Sequence, residues 1–291
     1  MSDKILVTGS TGNVGSEVVK ALLEMDQPVV AAAMDEQDAQ NVPGEDTETV
    51  LFRFGEGETY RAAFAGIDKL FLMRPPQISD VRTYLFPVVD YAKEVGVRHI
   101  AFLSLLGVER QRFVPHYQVE KHLQASGVPY TLLRPSFYMQ NLNTTHRAEI
   151  RDRDEILIPV GRARTSFLDV RDIGAVAAKV LTEPGHENRA YELTGGEALD
   201  YYQVADLFTD VLGREITYRD PSIPRFIHHH RQQGVPLPSV LIMVGLYTAT
   251  RFGSGKQVTG DVAELLGRPP IAMRQFIEDY ADAWQRGEPA S

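Results

Sequence analysis

Short apolar runs suited to buried strands alternate with segments of helical period through the first half of this chain. The runs fall at residues 5–7, 28–33, 50–52, 69–73, 99–103 and 130–134, and helical segments are expected at 17–25, 60–65, 80–94 and 115–125. Such alternation predicts an α/β fold on a parallel sheet covered on both faces. The stops are legible too: Pro75-Pro76 closes the fourth run, Ser79 can cap the helix that Gly96 ends, and Pro135 closes the sixth. Beyond Asp152 the segments shorten. Strands are expected at 165–168, 190–193 and 216–218, with helices at 172–181, 200–212, 239–250, 259–266 and 271–284. This gives a division into an α/β part, 1–152, to which later segments return, and a mainly helical cap, 153–291.

Between the first run and the first helix stands Gly9-Ser10-Thr11-Gly12-Asn13-Val14-Gly15. Glycines let the backbone approach a pyrophosphate, while the N–H groups and the positive dipole end of the next helix face its oxygens. The fold class is therefore a Rossmann-like, doubly wound parallel sheet with a smaller, mostly helical C-terminal region. Ligands of such sheets bind beyond the carboxyl ends of the strands. Gly9, Asp35, Arg74 and Ser104, each just past a strand, should line one crevice. Asp35 ends the second run, where an acidic group accepts from a free ribose hydroxyl, and so points toward NAD. Asp35, Glu36 and Asp38 also make up an acidic cluster that a solvated loop would explain.

Tyr117 and Lys121 are four residues apart on one face of an expected helix. A neighbouring ammonium favours the phenolate, so Tyr117 could give a proton to a substrate oxygen while Ser104 orients it. An exposed amphipathic face would account for the same spacing.

Composition narrows the function. Thirty Lys and Arg against 39 Asp and Glu give a net charge of −9. That argues against binding to nucleic acid or to an anionic membrane, both of which need positive charge. There is no cysteine, hence no disulfide, thiol nucleophile or thiolate-bound metal. No secretory signal or bilayer-spanning run is apparent, and the chain reads as cytoplasmic, a monomer or homodimer whose partner is a small molecule.

The arrangement resembles the short-chain dehydrogenases/reductases, and more closely their atypical NmrA-like branch. The residues that carry the likeness are Thr8-Gly9-x-x-Gly12-x-x-Gly15, Leu70-Phe71-Leu72 before Pro75-Pro76, and Gly96-Val97-Arg98-His99-Ile100. They continue with Leu133-Arg134-Pro135 and Asn141, Phe167-x-Asp169-Val170-x-Asp172-Ile173, Ala190-Tyr191-Glu192-Leu193-Thr194-Gly195, and Gly234-Val235-Pro236. Members include NAD(P)H-dependent quinone and triphenylmethane-dye reductases, and regulators that bind a dinucleotide without turnover. The resemblance implies pyrophosphate contacts from Thr8, Gly9, Thr11, Gly12, Asn13, Val14 and Gly15. It implies contacts around the nicotinamide half from Ser104, Lys121, Pro135 and Phe137. NADPH-using relatives usually carry arginine where this chain reads Ala33-Met34-Asp35, and an acidic residue is common where it has Arg53. Relatives often have no tyrosine at 117, which leaves Tyr117 as a proton donor peculiar to this chain or as a wall residue.

Substrate contacts are expected from Tyr138 and Asn141, which follow the sixth strand, from His116 and His146 unless these are structural histidines, and from Phe226 and Met243 unless these belong to the core of the cap. His228-His229-His230 is not expected to hold a metal, because consecutive residues on a helix diverge and no carboxylate lies within a turn. The expectation is a reductase passing hydride from NADH or NADPH to a quinone-like, carbonyl or conjugated molecule. The alternatives are a non-catalytic dinucleotide sensor and an enzyme that uses the fold without cofactor turnover.

Overall fold

The computed structural model describes residues 3–286. In chain order the elements are β1 (Ile5–Val7), α1 (Asn13–Glu24), β2 (Val29–Ala33), α2 (Glu36–Ala39), β3 (Glu48–Leu51), α3 (Tyr60–Ala63) and β4 (Lys69–Met73). They continue with α4 (Val81–Tyr84), α5 (Phe86–Glu94), β5 (His99–Leu103), α6 (Pro115–Ser126), β6 (Tyr130–Pro135), α7 (Arg147–Arg153) and β7 (Glu155–Leu157). The rest are α8 (Val170–Thr182), β8 (Arg189–Leu193), α9 (Tyr201–Leu212), β9 (Thr217–Arg219), α10 (Ile223–Gln232), α11 (Leu237–Arg251), α12 (Asp261–Leu266) and α13 (Met273–Asp279).

The chain divides into two compact units. The first holds residues 1–135, 170–193 and 261–268. Its seven-stranded sheet has the order β3-β2-β1-β4-β5-β6-β8, with every pairing parallel. The order reverses between β1 and β4, the switch point at which a doubly wound sheet opens to a ligand. β1, β2 and β5 are buried along their whole length, as continuous apolar runs require when helices cover both faces. On one face α1 buries Val14, Val18, Val19 and Leu22, and α8 crosses it closely at Gly174, where a Cβ would stand 2.7 Å from the Glu17 carbonyl. A core cluster of this unit gathers Phe52, Tyr60, Phe64, Leu85, Val89 and Leu123.

The second unit holds residues 136–169, 194–260 and 269–291. Its core is built from Phe167, Tyr201, Phe208, Phe226, Phe276 and Trp284. β7 and β9 form a small parallel pair beside it.

Three expected elements differ. The helix expected at 80–94 is two, because Pro87 brings no N–H and starts a fresh helix, and the first is capped by Asp80 accepting from Thr83 N rather than by Ser79. Residues 165–168 make only isolated bridges, Thr165 with Leu199 and Leu168 with Tyr138. The last expected helix begins only at Met273, after Pro269-Pro270, and ends in a 3₁₀ turn, Ala281–Trp284. The short α2, α7 and β7 have too few residues to show a period.

Candidate functional site

The residues on either side of Gly9 pin the glycine turn to the strands flanking β1. Thr8 Oγ1 donates to Phe71 O and accepts from Met73 N, both at 3.0 Å, while Ser10 Oγ donates to Ala32 O at 2.8 Å. Gly9 lies between these anchors with φ +65°, a conformation that disfavours any side chain. Gly12 N donates to Gly9 O at 3.0 Å, and a Cβ on Gly15 would overlap that same carbonyl. The turn is folded as tightly as glycine allows, and α1 starts directly behind it. Gly12 is the N-cap and supplies no side-chain hydrogen bond, which leaves the N–H groups of Asn13, Val14 and Gly15 aimed out of the helix end. Such an uncapped end is a site for an anion. The backbone therefore fits a dinucleotide's pyrophosphate. The hydroxyls expected to share in the contact are otherwise engaged: Thr8 ties β1 to β4, and Thr11 Oγ1 donates to Asp38 Oδ1 at 2.7 Å.

Asp38 was not expected here as a link. Its other oxygen accepts from Met34 N at 2.9 Å, and its own N–H donates to Asp35 Oδ1 at 2.8 Å, so that Asp35 caps α2. The only sequence signal was the acidic cluster itself. Asp35, Glu36 and Arg53 line a cavity of about 370 Å³ beyond the ends of β2 and β3. Arg53 is partly engaged, donating to Met34 O at 2.7 Å and lying 3.3 Å from Glu56 Oε2.

Past β5 the side chains meet differently from expectation. Ser104 is buried and its hydroxyl donates to Glu120 Oε1 at 2.6 Å. Arg134 grips the same carboxylate with Nε at 3.0 Å and Nη2 at 2.7 Å. Hydrogen bonds from Arg134 to Glu120 strengthen the guanidinium and hold its pKa above the ordinary arginine value. Ser104 is therefore half of a buried polar anchor, not a free donor for a substrate oxygen. Glu120 escaped the sequence reading, although it shares the buried face of α6 with His116, Val119 and Leu123. Tyr117 is half-buried on that helix and Lys121 is exposed, with Nζ 5.4 Å from the Tyr117 ring centre and 2.9 Å from Gln124 Oε1.

Arg74 turns back into its own loop, donating through Nη1 to the carbonyls of Pro75, Pro76 and Ile78 at 2.9, 3.1 and 2.6 Å. Its Nε lies 3.3 Å from His116 Nε2. Burial, helped by the charge of Arg74, pushes His116 down to about 3, so this imidazole is neutral and acts as an acceptor. Neither residue is placed as expected: Arg74 organises the loop after β4 and His116 anchors it.

In the second unit, Phe137 stacks on Tyr247 with ring centres 6.2 Å apart. Burial raises the Tyr138 phenol above its ordinary pKa. Asn141 closes a 3₁₀ turn, and its carbonyl accepts from His146 N. Phe226 is fully buried against Tyr247 and His230, and Met243 packs on the same core. These two serve packing in this unit. His146 is also fully buried, its Nε2 2.6 Å from Tyr247 Oη, and burial pushes it down to about 4. His229 Nε2 lies 2.9 Å from Glu149 Oε1.

The model of the NmrA-like family matches residues 1–245. An NAD(P)H azoreductase of Xenophilus azovorans is 33% identical over 288 residues, covering 96% of this chain and 99% of its own. Quinone oxidoreductase 2 of Escherichia coli is 28% identical, covering 94% and 97%. Among solved structures, the NADPH-dependent quinone oxidoreductase of Escherichia coli in complex with NADPH superposes with a TM-score of 0.84 at 25% identity, over 95% of this chain and 99% of that one. Triphenylmethane reductase of Citrobacter sp. shares the fold, with a TM-score of 0.85 at 24% identity over 96% and 99% of the two chains. With the glycine turn at the sheet's switch point and a family match across most of its length, this chain belongs to the NmrA-like family.

Proposed function

We propose that this NAD(P)-dependent oxidoreductase uses NADH in preference to NADPH and reduces an extended, conjugated acceptor of the quinone or azo kind. The observation that carries the reading is the uncapped start of α1 behind a turn too tight for any Cβ at Gly15, with an acidic rim at the end of β2. The N–H groups of Asn13, Val14 and Gly15 bind the pyrophosphate. Asp35 accepts from the free 2′-hydroxyl of the adenosine ribose, where a 2′-phosphate would meet Asp35, Glu36 and Asp38. Among the described residues Arg53 is the one cation lining that cavity, and its hydrogen bond to Met34 O and its pairing with Glu56 weaken it as a phosphate ligand. The acceptor class follows the azoreductase and quinone oxidoreductase relatives.

When bound, the nicotinamide supplies the hydride. For a quinone or azo acceptor, orientation carries most of the remaining work. Tyr117 is the proton donor for acceptors that need one, and Lys121 keeps a positive charge beside the phenol as the proton leaves. Ser104 has no share in this step; with Glu120 and Arg134 it fixes the end of β5 against α6.

Steady-state oxidation of NADH with a quinone, an azo dye and a simple carbonyl tests the scheme. Tyr117→Phe is expected to lower carbonyl turnover by about 10²-fold or more, the usual weight of a general acid, and to change quinone turnover less than about tenfold, since no proton need accompany the hydride there. Equal retention of both activities would remove Tyr117 from the mechanism. Absence of turnover with every acceptor, despite tight dinucleotide binding, would replace the reductase with a sensor.

A further inference from the structure

We propose that His146, Glu149 and His230 form a binding site for a divalent transition ion of the zinc class, inside the second unit and independent of the dinucleotide site. One ligating atom from each residue lies within 4.8 Å of those from the other two. All three side chains are at least nine-tenths buried, with exposures of 0, 1 and 1%. His146 Nδ1, Glu149 Oε2 and His230 Nε2 are each buried without a hydrogen-bond partner. Orphaned polar atoms on three side chains that come this close are costly unless something between them satisfies them.

The opposite ends of the side chains show what that something is. His146 Nε2 lies 2.6 Å from Tyr247 Oη, and in the tautomer that donates there Nδ1 is a bare lone pair. Glu149 Oε1 is 2.9 Å from His229 Nε2 and accepts from Gln233 Nε2 at 3.2 Å, which leaves Oε2 as a second unshared acceptor. Acceptors that converge call for a cation. Two imidazoles and one carboxylate suit a borderline ion such as Zn²⁺, and three protein ligands leave the fourth tetrahedral position for a water or a small ligand. The hydrogen bonds with Tyr247, His229 and Gln233 are outer contacts of the kind that orient metal ligands. Phe226, its ring 4.3 Å from that of His230, and Tyr247 wall the cluster with apolar surface.

On α10 itself the consecutive histidines diverge and no carboxylate lies within a turn of them. His228 is exposed, and the missing carboxylate comes from α7, 80 residues before His229.

Full-length protein, stripped with chelator and dialysed, should bind about one equivalent of Zn²⁺ in calorimetric titration. Cobalt(II) in its place should give visible absorption bands of tetrahedral intensity. Glu149→Gln and His230→Ala are expected to weaken zinc binding at least about a hundredfold, and His228→Ala to leave it unchanged. Should either ligand variant fail to fold, the cobalt spectrum of the unmodified protein decides alone. No zinc bound at tens of micromolar, an octahedral cobalt spectrum, or zinc binding lost with His228 would overturn the proposal.

Discussion

Gly15→Ala is expected to weaken dinucleotide binding about a hundredfold or more while the protein stays folded. The added methyl would overlap the carbonyl and carbonyl carbon of Gly9, which are backbone and cannot swing aside. The turn must open, and the N–H groups at the start of α1 lose their common focus. A hydrogen bond to a charged group contributes about 1.5–3 kcal/mol, so misaligning one or two of them reaches that factor. Gly12→Ala is the internal comparison. Its Cβ would lie 3.3 Å from the same Gly9 oxygen, tight but open to a small adjustment, and a loss of no more than about tenfold is expected. Dissociation constants from fluorescence titration check the order, and a larger loss at Gly12 than at Gly15 would contradict a pyrophosphate seated on this turn.

The second large effect is on stability. Glu120→Ala should cost about 3–5 kcal/mol, read as a lower urea midpoint, because it leaves a mostly buried guanidinium and the buried Ser104 hydroxyl without their shared acceptor. Glu109, 3.5 Å from Arg134 Nη1, and the charge of Glu192 remain to compensate the guanidinium and hold the loss toward the lower end of that range. Replacing both charges, Glu120→Leu with Arg134→Met, should recover most of the loss, since a buried ion pair is often matched by apolar side chains of similar volume. A single variant as stable as the parent would show that the triad bears no load. A double variant no better than the single would show that the pair acts through more than mutual charge compensation.

The legible parts of this chain were those written in local pattern. Runs such as Ile5-Leu6-Val7 and the glycines behind them state strand, turn and helix start within a dozen residues, and the parallel sheet follows from the alternation. What stayed hidden was pairing at a distance. Glu120 meets Ser104 and Arg134 from 16 and 14 residues away, and nothing near Glu120 announces either partner. Arg74 and His116, both expected to face a ligand, find each other across 42 residues. Glu149 likewise gives the histidines of α10 a carboxylate that no window of one or two turns could supply. Phe226 illustrates the converse: an aromatic residue reads equally as a substrate contact or as core, and only burial separates the two.

Titration of the purified protein with NADH and with NADPH, followed by nicotinamide fluorescence, reads the choice of cofactor at the acidic end of β2. Saturable binding of NADH is expected, and binding of NADPH weaker by about tenfold or more, a difference that Asp35→Ala narrows because the carboxylate beside the 2′ position is gone. Binding of neither dinucleotide, or tighter binding of NADPH that is indifferent to Asp35→Ala, would contradict that expectation.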